Sequence, residues 1–310
     1  MSGRIVTLTL NPAVDLGSTA TSIEPTRKIR TRDERLDAGG GGINVARVVH
    51  ALGGQALALI LAGGATGALI QDLLRDLGVP HQAVPIAGRT RISLNVHESS
   101  TGQEYRFVPE GPIVSESEWQ SVLTTLGTIE ADWLVASGSL PLGVPHDLYA
   151  RIGDIAVRRG MRYVLDSSGE ALEAALGHGI ALMKPSLGEL IDLVGAPLPT
   201  RADQEREAMA LVRAGAAARI AVSLGPDGAF LATEAGITHM PAIQTKVLSA
   251  VGAGDSFLAG MVLSLSRGES DRDALAWGIA VAATAVASLG TARSAPGAAI
   301  AHWRHLAGAA

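Results

Sequence analysis

Short apolar segments alternate along this chain with segments whose apolar residues recur every three or four positions. Ile5–Leu10 and Ala56–Leu61 have the pattern of buried strands, whereas Ile43–Leu52 and Thr66–Leu77 place their apolar residues on one helical face. The same patterns predict strands at Trp133–Ala136, Tyr163–Leu165, Ala181–Met183 and Ile220–Ser223, and helices that open at Pro145 and cover Phe257–Leu265 and Ala274–Ser288. This alternation predicts an α/β fold, a doubly wound and mostly parallel sheet with helices on both faces.

Two regions break the alternation. Thr21–Asp37 is charged and has no clear helical face. Arg91–His97 alternates polar and apolar residues, and the turn Ser100-Thr101-Gly102 joins it to Glu104–Val108, which predicts a β-hairpin. We therefore expect a single domain over residues 1–310, with a small β lid inserted from about 12–38 and 90–109. Ligands of open α/β sheets bind beyond the carboxyl ends of the strands, where such a lid could close.

Composition narrows the possible functions. The formal net charge of −5 argues against nucleic acid or an anionic membrane as a partner. The absence of cysteine excludes disulfides, thiolate zinc sites and a cysteine nucleophile. The chain enters its first strand without a signal-peptide pattern, and no apolar run reaches the length of a membrane span, so we expect a cytoplasmic protein.

The segment Ser249-Ala-Val-Gly-Ala-Gly-Asp-Ser256 carries the clearest chemical signal. Gly252 and Gly254 free the backbone N–H groups of a tight turn, and the helix that follows directs its positive dipole end to the same point. This arrangement favours negative charge, yet the carboxylate of Asp255 lies within it. A helix N-cap explains the pattern in structural terms alone. A base that takes a proton from a hydroxyl, while Gly252, Ala253 and Gly254 stabilise a phosphoryl group, explains it in chemical terms.

A second glycine run, Gly39–Gly42, opens the helix that contains Asn44. It would let a ligand approach the backbone closely, and Asn44 can hydrogen-bond hydroxyl groups, although a flexible surface loop has the same composition. Asp15 and Ser139 each follow a predicted strand and could bind hydroxyl or phosphate groups, or simply belong to turns. The chain has no Gly-Lys dipeptide of the Walker type and no Gly-x-Gly-x-x-Gly after its first strand, so those nucleotide-binding motifs are disfavoured.

Lysine is rare, with only Lys28, Lys184 and Lys246. Lys184 ends a predicted strand, and Glu189 lies in the first turn of the next helix. Ser186 and Glu189 have the spacing of a capping box, and a Glu at this position could also hold a hydrated Mg²⁺.

Two motifs of this chain resemble, in the same order, the two signatures of the ribokinase-like (pfkB) carbohydrate kinases. The first is Gly-Gly-Gly-Gly-x-Asn-x-Ala, which starts at Gly39, and the second is Val-Gly-Ala-Gly-Asp-Ser, which starts at Val251. The resemblance runs from Thr7 to about Thr291. It is strongest to the phosphosugar kinases, through Asn11-Pro-Ala-Val-Asp15, Thr90-Arg91, Ser137-Gly-Ser-Leu-Pro141, Asp166-Ser-Ser-Gly-Glu-Ala and Lys184-Pro. The glycine run lacks the lysine usual in 1-phosphofructokinases and the hairpin reads Gly102-Gln-Glu-Tyr-Arg-Phe107, features similar to the minor bacterial 6-phosphofructokinases.

The resemblance implies roles for particular residues. Asp255 would be the general base and Gly252–Gly254 the anion hole. Further implied residues are, for the sugar and its phosphate, Asp15, Lys28, Gly40, Gly41, Asn44, Arg91, Arg106 and Ser139; for ATP, Lys184, Ser186, Ser223, Gly225 and Gly228; for hydrated Mg²⁺, Glu189; and for a monovalent cation such as K⁺, Ser249, Val251, Ala285, Ser288 and Gly290. The family usually has Asn where this chain has Ser186, which affects the expected metal and ATP contacts.

The resulting expectation is an ATP-dependent kinase that converts fructose 6-phosphate to fructose 1,6-bisphosphate. A 1-phosphofructokinase, a tagatose-6-phosphate kinase and a catalytically silent sensor of sugar phosphate or nucleotide are the alternatives. We also expect a homodimer, because a small lid sheet with one apolar face is unstable alone and related kinases pair their lids. In such a dimer Lys28 would reach the phosphate site of the other subunit.

Overall fold

The computed structural model describes residues 3–288 and 295–307 and contains two β-sheets. The strands, in chain order, are β1 (Ile5–Thr9), β2 (Ala13–Ala20), β3 (Thr31–Gly39), β4 (Ala56–Ala62), β5 (His81–Pro85), β6 (Arg91–Glu98), β7 (Glu104–Phe107), β8 (Trp133–Ser137), β9 (Arg162–Asp166), β10 (Ile180–Met183), β11 (Arg219–Ser223), β12 (Ala229–Thr233) and β13 (Gly236–Met240). The helices are α1 (Gly41–Ala51), α2 (Gly64–Asp76), α3 (Glu116–Leu126), α4 (Leu148–Arg158), α5 (Gly169–Glu173), α6 (Leu187–Val194), α7 (Arg201–Arg213), α8 (Ala253–Ser266), α9 (Asp271–Val286) and α10 (Pro296–Ala307).

The large sheet has nine strands in the order β13-β12-β11-β10-β9-β8-β1-β4-β5. From β5 to β11 every neighbouring pair is parallel, and β11–β12 and β12–β13 are antiparallel. The expected doubly wound, mostly parallel sheet is therefore confirmed.

Each face of the large sheet is covered by an apolar core. Along β1, Ile5 joins one core and Val6 the other, as the alternation of side chains in a strand requires. The first core includes apolar residues of α1, α2, α8 and α9, and the second includes residues of α3, α4, α6 and α7. Within the described ranges, no helix is both long and apolar enough to cross a bilayer.

Several helix boundaries differ from the sequence-based expectation. Pro145 does not open a helix; the Leu148 N–H donates to the Pro145 carbonyl (3.0 Å), and α4 starts only at Leu148, because residues 145–147 form a turn. Helix α8 starts four residues before Phe257, since the glycine motif itself forms its first turn.

Helices α8 and α9 approach each other closely at two glycines. A Cβ atom on Gly260 would lie 2.6 Å from the Trp277 carbonyl oxygen, and one on Gly278 would lie 2.8 Å from Met261 Cγ. Beyond this crossing, α10 packs on α9, and the Trp277 and Trp303 rings stack with centroids 5.2 Å apart. The close packing at these two glycines holds α8 against α9. It thereby also fixes the position of the late glycine motif at the start of α8.

The second sheet is the lid, with the order β3-β2-β6-β7. The predicted hairpin of β6 and β7 is confirmed, and β2 also pairs antiparallel with β3, whereas β2 and β6 pair in parallel. The difference has a simple cause. Both strands leave the carboxyl edge of the large sheet, β2 shortly after β1 and β6 shortly after β5, so they run in the same direction.

The two faces of the lid have different chemistry. One face carries charged and polar side chains at positions that oppose one another across the strands, including Asp15, Asp37, Asn95 and Arg106. On the other face and at the strand end, large apolar side chains remain exposed; these are Leu36, Ile92, Phe107 and Val108. The polar face lies over the carboxyl edge of the large sheet, as the cavities described below show.

We predict that Gly260→Ala lowers the free energy of unfolding by about 1–3 kcal/mol, because the added methyl group collides with backbone that cannot move away. Urea denaturation measures the change. Gly297→Ala is the matched control, since no atom lies within 4 Å of the added Cβ and alanine is the better helix former. An unchanged midpoint for Gly260→Ala would show that the helices can separate without cost.

Candidate functional site

The first turns of α1 and α8 meet at the carboxyl edge of the large sheet. Asn44 lies in the first turn of α1 and Asp255 in the first turn of α8, and the Asn44 Nδ2 donates a hydrogen bond of 2.8 Å to Asp255 Oδ2. Gly252, the N-cap of α8, has φ 75°, a conformation that side chains disfavour. Two helix N-termini therefore direct the N–H groups of their first turns and their positive dipole ends toward one carboxylate.

The early glycine run makes space at this point. A Cβ atom on Gly41 would collide with Ser137 Oγ and lie 3.2 Å from Asp255 Oδ1, and one on Gly42 would lie 2.5 Å from the Leu8 carbonyl oxygen. The two oxygens of Asp255 thus have different surroundings. Oδ2 is bound by Asn44, whereas Oδ1 faces the space that Gly41 leaves open.

Around Asp255 lies a polar cleft of about 290 Å³ at the carboxyl ends of β1, β8 and β9. It brings together most of the predicted sugar residues, namely Asp15, Gly40, Gly41, Asn44, Arg91, Arg106 and Ser139, with Gly252 and Glu189 at the same cleft. Lys28 is exposed in the segment between β2 and β3 and is absent from the lining of this cleft.

The two arginines of the cleft differ in their contacts. Arg91 Nη1 donates to the Pro109 carbonyl (2.7 Å) and Nη2 to the Asn11 carbonyl (2.8 Å), so it fastens the base of the lid. Burial lowers the pKa of Arg91, while the Asp15 carboxylate acts in the opposite direction. Arg106 is exposed, and across the described residues its guanidinium makes neither a hydrogen bond nor an ion pair.

A buried ion pair lies beside Asp255. Lys184 Nζ is 3.2 Å from Asp166 Oδ1, and a Cβ on Gly254 would lie 3.4 Å from the same ammonium. Burial raises the pKa of Asp166 to about 6; Lys184 opposes this shift, and the charges of Asp255 and Glu189 add to it. Burial by itself would lower the pKa of Lys184, but Asp166 and Glu189 raise it above its ordinary value. One ammonium therefore balances three carboxylates next to the first turn of α8.

Behind α8 lies an apolar cavity of about 440 Å³. Ser223, Gly225 and Gly228 line it, together with Ala253 and Gly254 of the late glycine motif. It also has apolar walls formed by Pro226, Ile243, Val247, Phe257, Ile279, Ala282, Ala283 and Val286. The volume and the apolar walls fit the purine base of a nucleotide, and the start of α8 is available for its phosphate groups.

Ser186 and Glu189 form the capping box expected from their spacing. The Glu189 N–H donates to Ser186 Oγ (3.2 Å), and the Ser186 N–H donates to Glu189 Oε2 (2.7 Å). The other carboxylate oxygen is not used by the capping box, and Glu189 lines the polar cleft with Asp166 and Asp255. In the described part of the chain, no cluster of His, Asp and Glu is arranged to ligate a metal directly. These carboxylates fit a hydrated Mg²⁺ ion that they would hold through its bound water molecules.

The predicted monovalent-cation residues fall on two adjacent segments. The Leu248 and Ser249 N–H groups both donate to the Val286 carbonyl (2.7 and 3.3 Å), so Ser249 and Val251 lie beside the end of α9, where Ala285 and Ser288 are found. Gly290 lies outside the described residues.

A further cavity of about 400 Å³ lies under the polar face of the lid and continues from the cleft. Sequence reasoning did not assign one of its two arginines, Arg35, nor the cleft residues Ser137 and Asp166, nor Arg47 beneath the cleft. Ser137 and Asp166 end buried strands at the same edge, and that position was the available signal. Arg47 had none, because two of its three partners, Ala38 and Asp37, come from the lid.

Comparisons with known proteins agree with this geometry. The model of the pfkB family carbohydrate kinases matches residues 8–298. The chain is 43% identical to the ATP-dependent 6-phosphofructokinase isozyme 2 of Mycobacterium tuberculosis (strain ATCC 25618 / H37Rv) over 93% of this chain and 86% of the relative, and 40% identical to the protein of the same name from Escherichia coli (strain K12), over 93% and 94%. The crystal structure of Escherichia coli phosphofructokinase-2 in complex with fructose-6-phosphate superposes with a TM-score of 0.93 and 37% identity, covering 99% of this chain and 100% of that one. With its fold, its two glycine motifs and these matches, the chain belongs to the pfkB family of carbohydrate kinases.

Proposed function

We propose that this protein transfers the γ-phosphoryl group of ATP to the 1-hydroxyl of fructose 6-phosphate. The observation that carries the proposal is the Asp255 carboxylate at the first turn of α8, with one oxygen bound by Asn44 and the other facing a cleft lined by Arg91 and Arg106. The names of the relatives from Mycobacterium tuberculosis and Escherichia coli support the same acceptor.

In this proposal the two carboxylate oxygens of Asp255 have different roles. Oδ2 is fixed by Asn44, and Oδ1 accepts the proton of the attacking hydroxyl, which takes the place beside Gly41. The N–H groups of Gly252, Ala253 and Gly254 stabilise the charge on the transferred phosphoryl group. Because the transition state of phosphoryl transfer is loose, positioning and neutralisation of charge supply most of the rate enhancement.

Lys184 and Glu189 complete the electrostatics of the transfer. Lys184 is buried beside Gly254, so its charge acts on the phosphates with little screening by water. Glu189 would hold the hydrated Mg²⁺, which neutralises phosphate charge when it is bound, while Ser223, Gly225 and Gly228 would contact the nucleotide. We propose a monovalent cation at Ser249, Val251, Ala285 and Ser288, which lie on two segments joined by the hydrogen bonds of the Leu248 and Ser249 N–H groups to the Val286 carbonyl.

The acceptor is tested by measuring ADP release with ATP and Mg²⁺ for fructose 6-phosphate, fructose 1-phosphate, tagatose 6-phosphate and fructose. We expect the highest kcat/KM with fructose 6-phosphate. A higher value for another acceptor would correct the substrate. No turnover with any acceptor, together with binding of a sugar phosphate, would identify a sensor instead of a kinase.

Asp255→Asn is expected to lower kcat by roughly 10²–10⁴-fold, because the amide cannot accept the hydroxyl proton as a base. Calorimetry should show that binding of ATP and of fructose 6-phosphate is largely retained. Asp76→Asn, at an exposed position on α2, is the control for loss of one carboxylate. If Asp255→Asn kept more than half of the wild-type kcat, the base mechanism would be excluded.

Arg106→Ala is expected to raise KM for fructose 6-phosphate by about ten- to a hundredfold, the equivalent of a charge-assisted hydrogen bond of about 1.5–3 kcal/mol, with KM for ATP unchanged. Arg91→Ala should raise the same KM and also lower Tm, because two backbone carbonyls lose their donor. Arg75→Ala removes an exposed arginine on α2 and serves as control. Equal loss of affinity for ATP and sugar phosphate in Arg106→Ala would contradict the assignment.

We further propose a homodimer in which the lids of two chains cover each other's apolar faces. Leu36, Ile92 and Phe107 on this face are 46%, 48% and 58% exposed, which is unusual for large apolar side chains grouped on one face of a small sheet. Light scattering over a dilution series should give about twice the monomer mass of 31.7 kDa, and Phe107→Glu should shift it toward the monomer. A fully active monomer at micromolar concentration would refute the dimer.

The dimer also explains the position of Lys28, which we place at the phosphate site of the partner subunit. Mixing inactive Asp255→Asn protein with a Lys28→Ala variant is then informative. After random exchange, half of the dimers are mixed and each has one complete site, so activity should recover to about a quarter of the wild-type value. No recovery from two variants that are each inactive alone would show that Lys28 acts within its own chain, and a fully active Lys28→Ala protein would show that it does not act at all.

A further inference from the structure

Directly beneath the cleft, Arg47 connects the residue that binds Asp255 to the lid. It lies one turn after Asn44 on α1, and its side chain is only 8% exposed. Its Nη1 donates to the Ala38 carbonyl (3.0 Å) and to Asn44 Oδ1 (3.4 Å), and its Nη2 is 3.3 Å from Asp37 Oδ1. Ala38 and Asp37 belong to β3, so one guanidinium contacts both α1 and the lid.

The chemistry of the three groups fixes the orientation of the Asn44 amide. A guanidinium can only donate hydrogen bonds, and an ionised carboxylate can only accept them. Between Arg47 and Asp255, therefore, Asn44 must turn its oxygen toward Arg47 and its NH₂ toward Asp255. Without the arginine, the amide could rotate and present its oxygen to the carboxylate, which would repel it.

The other end of the contact lies in the lid. Asp37 is only 12% exposed and lines the cavity under the polar face of the lid. In the antiparallel register of β2 and β3 it lies opposite Asp15. A displacement of the end of β3 would consequently move the guanidinium, then the amide, then the base. Arginine suits this task because its planar fork reaches several acceptors at fixed angles, which the single ammonium of lysine does not.

We propose that Arg47 is a positioning residue that orients Asp255 through Asn44 and couples this orientation to the lid. The proposal rests on the function proposed above, in which Asp255 is the base. A buried ion pair with a purely structural role would stabilise the fold without any specific dependence on Asn44, and this difference can be measured.

The test is a double-mutant cycle of Arg47→Met and Asn44→Ala, assayed by kcat/KM with whichever acceptor the wild-type protein phosphorylates best. Arg47→Met is expected to lower kcat/KM for the acceptor by roughly 10- to 100-fold, with KM for ATP changed by less than twofold. If Arg47 acts through Asn44, the double variant loses no more activity than Asn44→Ala alone. Multiplication of the two single effects would overturn the proposal, as would wild-type activity in Arg47→Met.

Two further variants separate positioning from stability. Arg219→Met removes the Arg219–Asp271 ion pair (2.7 Å) far from the cleft, and should lower Tm while leaving kcat/KM unchanged. Arg47→Lys keeps the charge and should retain an activity between wild type and Arg47→Met. If Arg47→Met does not fold, the cycle is run with Arg47→Lys, and independent effects there would overturn the proposal equally.

Failure of this proposal is distinguishable from failure of the proposed function. A wild-type protein without turnover on any acceptor contradicts the kinase function itself. A wild-type protein that turns over, with independent effects of Arg47 and Asn44, contradicts only the role of Arg47.

Discussion

The hydrogen bond of 2.8 Å between Asn44 and Asp255 joins two helices that are 211 residues apart in sequence, and the site depends on it. It can form only if the first turns of α1 and α8 approach the same point above the sheet. Two like helix ends repel each other through their dipoles, and the carboxylate between them offsets that repulsion. The positive ends of both helices thus face the Asp255 carboxylate, and in the proposed reaction they would also face the phosphates.

Glycines make this approach possible on both sides. At Gly41 and Gly42 a side chain would collide with Ser137 Oγ and the end of β1, and at Gly260 it would collide with the backbone of α9. The first pair of contacts lets α1 start directly against the sheet, and the second holds α8 in position from behind. Around this rigid centre, Lys184 balances the carboxylates of Asp166, Glu189 and Asp255.

The features that depend on neighbouring residues in the sequence were predictable. The apolar periodicity gave the layers of the fold, and the glycine runs located both helix ends, because tight turns and close approaches restrict the residue type at the position itself. The parallel pairing of β2 with β6 was not predictable in this way, since it depends on where two separate insertions leave the body. Arg47 was missed for the same reason, since its partner Asp37 lies on a strand of the lid. Asp166 ends a buried strand, which the sequence does show, but its pairing with Lys184, 18 residues later on another element, was not predictable from local pattern.

The strand order has a consequence for how the protein folds during its synthesis. β1 lies between β4, which follows within 50 residues, and β8, which begins at Trp133. Helix α1 finds its partner α8 only after residue 252. A nascent chain on the ribosome can therefore assemble β1, β4 and β5 early, but one apolar face of α1 stays uncovered until almost the whole chain has emerged. The segment that carries the late glycine motif is therefore also the segment that covers this face of α1, and both are completed late in synthesis.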